Sequence, residues 1–299
     1  MPVIDMLLTL AGSVPAAAYW LALTLCIIGA ALALLLPVAR LAYRAAALCA
    51  ALAGVAALVA GIGALSGFGA PTADIPSALP FGPLLIRLDT LGAFFLLLLG
   101  LVGTPIAIFS IGALTAPASE RAGSAADATD AAHAEYGSPR GYGFLLCLLL
   151  LSLFLIVSAG DAILFIIAWE AMAFLSYLLA IYHDMDRQAA RASFVMLAVS
   201  EGGTALVIAA FLFLYRASGS FAFADMRLAG PQQSLALRSA IFALTLVGFG
   251  AKAGIMPFQF WQTRAYPATN GAFAAVLSAM VMKMAFYGLF RFDLGLLGG

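Results

Sequence analysis

Charge is what this 299-residue chain has least of. Asp, Glu, Lys and Arg make up 9% of it, against 65% hydrophobic residues and a mean hydropathy of +1.09. A water-soluble domain carries about 25% charged and about 45–50% apolar residues, so that class is excluded. The 14 basic residues balance the 14 acidic ones, which leaves no nucleic-acid footprint and no electrostatic tail. Cysteine is scarce too. Cys26, Cys49 and Cys147 stand singly in apolar runs, without metal-ligand spacing or a disulfide framework. The two histidines, His133 and His183, lie in polar stretches, so no haem or zinc site is expected and no cofactor is assigned. No Lys or Arg precedes Arg40. The first apolar run thus lacks the basic flank of a secretory signal and reads as a retained helix.

What the chain does have is long apolar runs. About 20 apolar residues span a bilayer core, and eight runs qualify, near 17–36, 41–65, 89–113, 142–159, 162–182, 192–215, 238–257 and 272–294. The fold class is an all-α membrane protein. Three segments follow: an N-terminal three-helix segment over 1–113, a polar loop over 114–141 and a five-helix unit over 142–299. The Gly- and Pro-rich connection 66–88 suits a turn or short hairpin at the membrane surface. Arg40, Arg44, Arg121, Arg140, Arg187, Arg191 and Arg264 fall on one side of the membrane. Arg87, Arg216, Arg227, Arg238 and Arg291 fall on the other. The excess of positive charge in short loops puts the first side in the cytoplasm and the N-terminus outside.

The only two lysines, Lys252 and Lys283, are both inside apolar helices. Each costs about 2.5–3.5 kcal/mol at a helix centre on insertion scales. Lysine, unlike arginine, can give up its proton when buried. Glu170, in "FIIAWEAMAFLSYLLA", is the carboxylate deepest in a span; it reads as half of an ion pair or a relay station, against a plain interhelical hydrogen bond. Glu201, followed by Gly202 and Gly203, is a second intramembrane acid, where structural and relay roles weigh evenly. Asp89 and Asp161 sit at helix starts and read as N-caps. Pro257, five residues after Lys252, lacks the N–H that Ala253 needs, and Gly248, Gly250 and Gly254 loosen the same stretch. The seventh helix should break just past Lys252 and leave carbonyls to water.

Four blocks resemble the antiporter-like membrane subunits of respiratory complex I, Mrp antiporters and group 4 membrane-bound hydrogenases. They are "LDTLGAFFLLLLGLVG" (88–103), "WEAMAFLSYLLA" (169–180), "GFGAKAGIMPFQFW" (248–261) and "VMKMAFYGLFR" (281–291). The "GFGAKAG" wording, with "GSFAFADM" (219–226), leans toward hydrogenase-4 component B and formate hydrogenlyase subunit 3. The resemblance implies the first half of the antiporter-like fold in a bacterial inner membrane. It implies a proton path through Glu170, Lys252 and Lys283, with Glu201 accessory and no redox site in the chain itself. Partners would be other membrane subunits, a soluble hydrogenase or dehydrogenase arm, a chain supplying the second half, and lipid. Gln259 stands where the family usually has His. The competing functions are a non-conducting structural or assembly subunit and a cation/proton antiporter subunit; a self-contained small-solute transporter is disfavoured by the missing second repeat. Two geometric expectations follow: Glu170 faces Lys252 closely enough to pair, directly or through one water, and Lys283 points inward toward Lys252 across a polar gap.

Overall fold

The computed structural model of the chain describes residues 2–78, 80–115, 139–183, 187–266 and 271–298. Helices α1 (Pro2–Leu35), α2 (Ala39–Leu65) and α3 (Thr90–Thr115) form the N-terminal unit, with a hairpin of β1 (Thr72–Ile75) and β2 (Leu84–Arg87) between α2 and α3. There follow α4 (Pro139–Ser158), α5 (Ala162–His183), α6 (Arg187–Ser218), the short α7 (Phe223–Ala229) and α8 (Leu235–Ala253). After α8 come a tight turn over Phe258–Trp261, α9 (Gln262–Ala265), α10 (Gly271–Val276) and α11 (Met282–Phe290). Wide helical turns over Leu277–Val281 and Arg291–Leu296 flank α11. Eight stretches of the described residues are long and apolar enough to span a bilayer, from Ser13–Leu35 to Phe273–Leu296. The protein is an all-α membrane protein. Most of the expected loop 114–141 lies outside the described residues.

Small residues decide how the N-terminal unit packs. Helix α2 buries Ala42, Ala46, Ala50, Ala53, Ala57, Ala60 and Gly61. Lipid gives helices no hydrophobic reason to associate, so close backbone approach must do it. A Cβ on Gly61 would lie 2.8 Å from Leu97 N, and one on Gly100 would lie 2.5 Å from Gly54 O. Helices α2 and α3 therefore pack backbone to backbone. The same device recurs between α6 and α8, where a Cβ on Gly203 would meet Gly248 O at 2.5 Å.

One end of the bundle is stitched by loop hydrogen bonds. Strands β1 and β2 pair antiparallel, from Thr72 opposite Arg87 to Ile75 opposite Leu84. Gly160 N donates to Leu85 O at 2.7 Å, Phe223 N to Gly160 O at 2.9 Å and Ala162 N to Phe221 O at 3.0 Å. These bonds satisfy backbone groups that have no helical partner. They also gather the connections 66–88, 159–161 and 219–223 at one membrane face, as strict alternation of eight spans requires. At the opposite end Arg140 Nη2 donates to Pro37 O at 2.7 Å.

Candidate functional site

Helix α8 ends where the sequence places the break. Gly254 takes φ +67°, ψ +35°, a left-handed conformation that glycine reaches without a Cβ penalty. Gly254 N donates to Ala251 O at 3.3 Å and Ile255 N to Gly250 O at 2.9 Å, the bond pair of a Schellman C-cap. Lys252 is thus in the last turn of a helix that stops inside the bilayer. The partial negative charge of that helix end favours a cation there. The expected release of carbonyls to water is replaced by side-chain capping. Trp261 Nε1 donates to Ala251 O and Gln262 Nε2 to Ala253 O, both at 2.9 Å. A Cβ on Gly254 would fall 1.8 Å from Gln262 Nε2, so the cap and its donor require glycine together.

Lys252 is 4% exposed and its Nζ donates to Ser200 Oγ at 2.9 Å. Helix α6 supplies that hydroxyl because Gly203 and Gly248 bring the two backbones together. The helix rotates about 100° per residue, so neighbours Ser200 and Glu201 point differently: Ser200 is buried and Glu201 is exposed. One turn on, Thr204 Oγ1 accepts from Trp169 Nε1 at 3.1 Å and donates to Ser200 O at 3.1 Å. Trp169 is the residue before Glu170, so this bond anchors the α5 turn that carries Glu170 against α6.

Among the described residues Lys252 makes no direct ion pair. Glu170 and Glu201 are both near enough for their charges to act on it. Glu201 lies within hydrogen-bonding reach of Glu170, and Glu170 Oε1 is buried with no hydrogen-bond partner. The structure therefore groups four residues, Glu170, Ser200, Glu201 and Lys252, from three helices. Ser200 went unread in the sequence; its only signal was a hydroxyl adjoining an intramembrane acid. No grouping of three His, Cys, Asp or Glu side chains with metal-binding geometry is present among the described residues.

Lys283 lies elsewhere. It is exposed, and its Nζ sits over the ring of Phe286 at 5.8 Å from the centroid. The inward expectation fails because the buried stripe of the last span is taken by Met280, Met284, Tyr287, Gly288 and Arg291. Gly288 seats against Phe249, where a Cβ would come within 2.3 Å, and this fixes the rotation of the helix. Lys283 shares the opposite, exposed stripe with Phe286 and Phe290.

Both capping aspartates cap. Gly92 N donates to Asp89 Oδ1 at 2.9 Å, and Leu164 N donates to Asp161 Oδ1 at 2.8 Å. Each does more than that. Asp161 Oδ2 also accepts from Leu85 N at 2.5 Å; burial still pushes its carboxyl up, against the pull of the backbone N–H groups of Leu85, Leu164 and Ile163. Asp89 accepts both Nη atoms of Arg291, and Arg227 Nη2 at 3.3 Å. Burial would raise the Asp89 carboxyl, but the Arg291 bonds and charge, the Gly92 N–H and Arg227 together hold it below its ordinary value. Arg291, counted from the sequence among the cations of one membrane face at the end of the last span, is 2% exposed.

Residues 159–297 match the family model described as NADH:quinone oxidoreductase/Mrp antiporter, transmembrane. The chain is 30% identical over 246 residues to an uncharacterised protein of Mycobacterium tuberculosis, covering 82% of this chain and 35% of that protein. It is 29% identical over 217 residues to hydrogenase-4 component B of Escherichia coli, covering 73% of this chain and 29% of that one. The chain therefore spans about a third of the length of these relatives. In fold it superposes on a chain of the archaeal membrane-bound sulfane sulfur reductase, a respiratory membrane complex, with a TM-score of 0.72 at 22% identity. That match covers 92% of this chain and 40% of the other.

Proposed function

We propose that this chain, an antiporter-like membrane subunit of the NADH:quinone oxidoreductase/Mrp antiporter family, moves protons across the membrane as part of a hydrogenase or complex I-like assembly. The observation that carries the reading is Lys252: a buried amine at an intramembrane helix end, bonded to a neutral hydroxyl and flanked by two carboxyl groups. An arginine fixed to a carboxylate holds its charge permanently. An amine bonded to a serine can lose its proton without breaking an ion pair, and the two nearby acids can take and return it. In this reading Glu170 delivers, Lys252 holds and Glu201 exchanges. Trp169, through Thr204, keeps Glu170 in place.

Lys283 belongs to the same path only if a further helix covers its exposed stripe and carries the proton on. That helix would come from polypeptide supplying the second half of the fold. A soluble hydrogenase or dehydrogenase arm would supply the redox energy, and the membrane would be the bacterial inner membrane with the N-terminus outside.

The test is Lys252→Arg beside Lys252→Met in the assembled complex, in inverted vesicles, scoring proton uptake against redox turnover. Arginine keeps charge and cannot deprotonate, so both variants should lose coupled uptake while the complex stays assembled. Uptake preserved in Lys252→Arg would overturn the reading and favour a structural subunit.

A further inference from the structure

We infer that the groove between the start of α3 and the end of the last span binds one anionic phospholipid, with its phosphate on Arg227 and an acyl chain along Phe94 and Phe290. The inference concerns lipid recognition at one membrane face. It stands whether or not the chain conducts protons.

Charge comes first. The charged residues in the described lining of the groove are Asp89, Arg227 and Arg291. Both oxygens of Asp89 are engaged. Oδ1 accepts from Gly92 N at 2.9 Å and Arg291 Nη2 at 2.8 Å, and Oδ2 accepts from Arg291 Nη1 and Arg227 Nη2. Two guanidinium groups thus meet one carboxylate, which leaves one positive charge. Asp225 and Asp293, the acids nearest these arginines in sequence, do not line the groove and pair with neither arginine among the described residues. Arg291 is buried and spends its donors on Asp89 and Tyr287. The surplus charge is therefore on Arg227, whose side chain is 53% exposed and gives Asp89 one bond, at 3.3 Å. A guanidinium offers a planar fork of N–H donors that matches phosphate, and most of the Arg227 fork is unspent.

Depth and shape agree. Helix α7, which carries Arg227, lies between two spans, and Asp89 immediately precedes the span Thr90–Gly112. Arg291 lies five residues before the end of the span Phe273–Leu296, about 8 Å below it. The charges are therefore at headgroup level. Beneath them the walls turn apolar, with Leu91 and Phe94 from α3 facing Phe290 from the last span. Phe94 and Phe290 are 48% and 45% exposed. The groove holds about 720 Å³, within the size of ligand sites generally, about 300–1,000 Å³. A phospholipid presents the same order of groups, phosphate above acyl chain. An anionic headgroup also neutralises the surplus charge, which a zwitterionic one does not.

The same membrane face supplies its own control. A second groove, of about 310 Å³, is lined by Val14, Pro15, Val59, Ile62 and Phe68. Val14 is at the start of the span Ser13–Leu35 and Ile62 near the end of Ala39–Leu65, so this groove opens at the same depth. Its described lining carries no charge. It can take an acyl chain but has nothing with which to choose a headgroup.

Photoreactive lipids test this on the assembled complex in nanodiscs. Phosphatidylglycerol and phosphatidylethanolamine, each with a diazirine high on one acyl chain, are supplied separately, and adducts are mapped by mass spectrometry. Over 90–94 and 290–295 the phosphatidylglycerol adduct should exceed the other by about fivefold, the factor that one basic side chain contributes at an anionic headgroup. At Val14 and Ile62 the two lipids should label equally. Arg227→Gln should bring the first groove to the ratio of the second. A Cβ on Gly295 would meet nothing closer than 3.7 Å, so Gly295→Phe puts a ring into the groove without a backbone clash and should remove both adducts there. Excess inorganic phosphate should leave the labelling unchanged. Equal labelling of the first groove by the two lipids, the same preference at both grooves, or a preference that survives Arg227→Gln would overturn the inference. So would displacement by phosphate, or another polypeptide found in the groove in place of lipid. The wild-type comparison decides the matter even if a variant fails to fold. Proton uptake is not read, so failure here leaves the Lys252 test untouched.

Discussion

Arg291 and Asp89, 202 positions apart in sequence, close on each other as a two-pronged ion pair, with Arg291 Nη2 at 2.8 Å from Asp89 Oδ1. The guanidinium also donates from Nε and Nη2 to Tyr287 Oη at 3.2 and 2.7 Å, and Tyr287 Oη reaches Val157 O at 3.2 Å. One cation thereby ties the start of α3, the end of α4 and the last span together. Its partner is half-exposed while it is buried itself, so the pair works as a latch at the rim of the bundle.

Removing one side of such a pair leaves the other desolvated. Arg291→Gln should cost about 3 kcal/mol or more, and Asp89→Asn should cost less because asparagine still caps α3. A double-mutant cycle by thermal unfolding in detergent checks this: the double variant should be more stable than the two single losses sum to. Strict additivity would mean that the latch contributes no coupling.

The same pair sets a pH response. The folded Asp89 carboxyl is held low, so its contribution is fully present above the unfolded value of about 3.9. It is lost as pH falls through the lowered folded value. Asp161, raised by burial, has the opposite sign: acidification relieves its cost. Unfolding measured from pH 6 to about pH 3 should show an acid loss in the wild type that is reduced in Asp89→Asn and deepened in Asp161→Asn.

Gly254→Ala should destabilise the end of α8 on two counts. The left-handed backbone costs about 1 kcal/mol or more for alanine, and the new methyl collides with Gln262 Nε2. Gln262→Ala alone uncaps Ala253 O without the backbone strain and should cost about 1 kcal/mol. Unfolding midpoints of the two variants in detergent would rank them; a neutral Gly254→Ala would mean that the helix stop at Ala253 is not held by this cap.

Ser200→Ala removes the hydrogen-bond acceptor that Lys252 has among the described residues. A lost bond to a charged group is worth about 1.5–3 kcal/mol, or roughly tenfold or more in a rate that depends on it. Proton uptake in vesicles should slow by about that factor while Lys252→Met abolishes it. Uptake unchanged in Ser200→Ala would remove the hydroxyl from the path.

Much of this architecture was legible in the residues. Eight spans, the hairpin between the second and third, the helix stop after Lys252 and the two capping aspartates follow from apolar run length, turn residues, glycine and proline chemistry, and local side-chain bonding. All are short-range properties. Depth was legible too, since counting residues along a helix places Glu170, Glu201, Lys252 and Lys283 within the bilayer. Direction was not. Whether a side chain at a given depth looks inward depends on which neighbouring helix packs against its span, and that is decided by contacts such as Gly288 on Phe249 and Gly203 on Gly248. Those contacts turned Lys283 outward and gave Lys252 a serine as its bonded partner. They also buried Arg291, counted from the sequence only as a cation at the end of the last span, in a latch, because the pair links positions too distant for any local pattern to register. The sequence by itself determined which costly charges enter the membrane and how deep; only tertiary packing decided which of them meet, because a helix has one depth scale but can be rotated to any face.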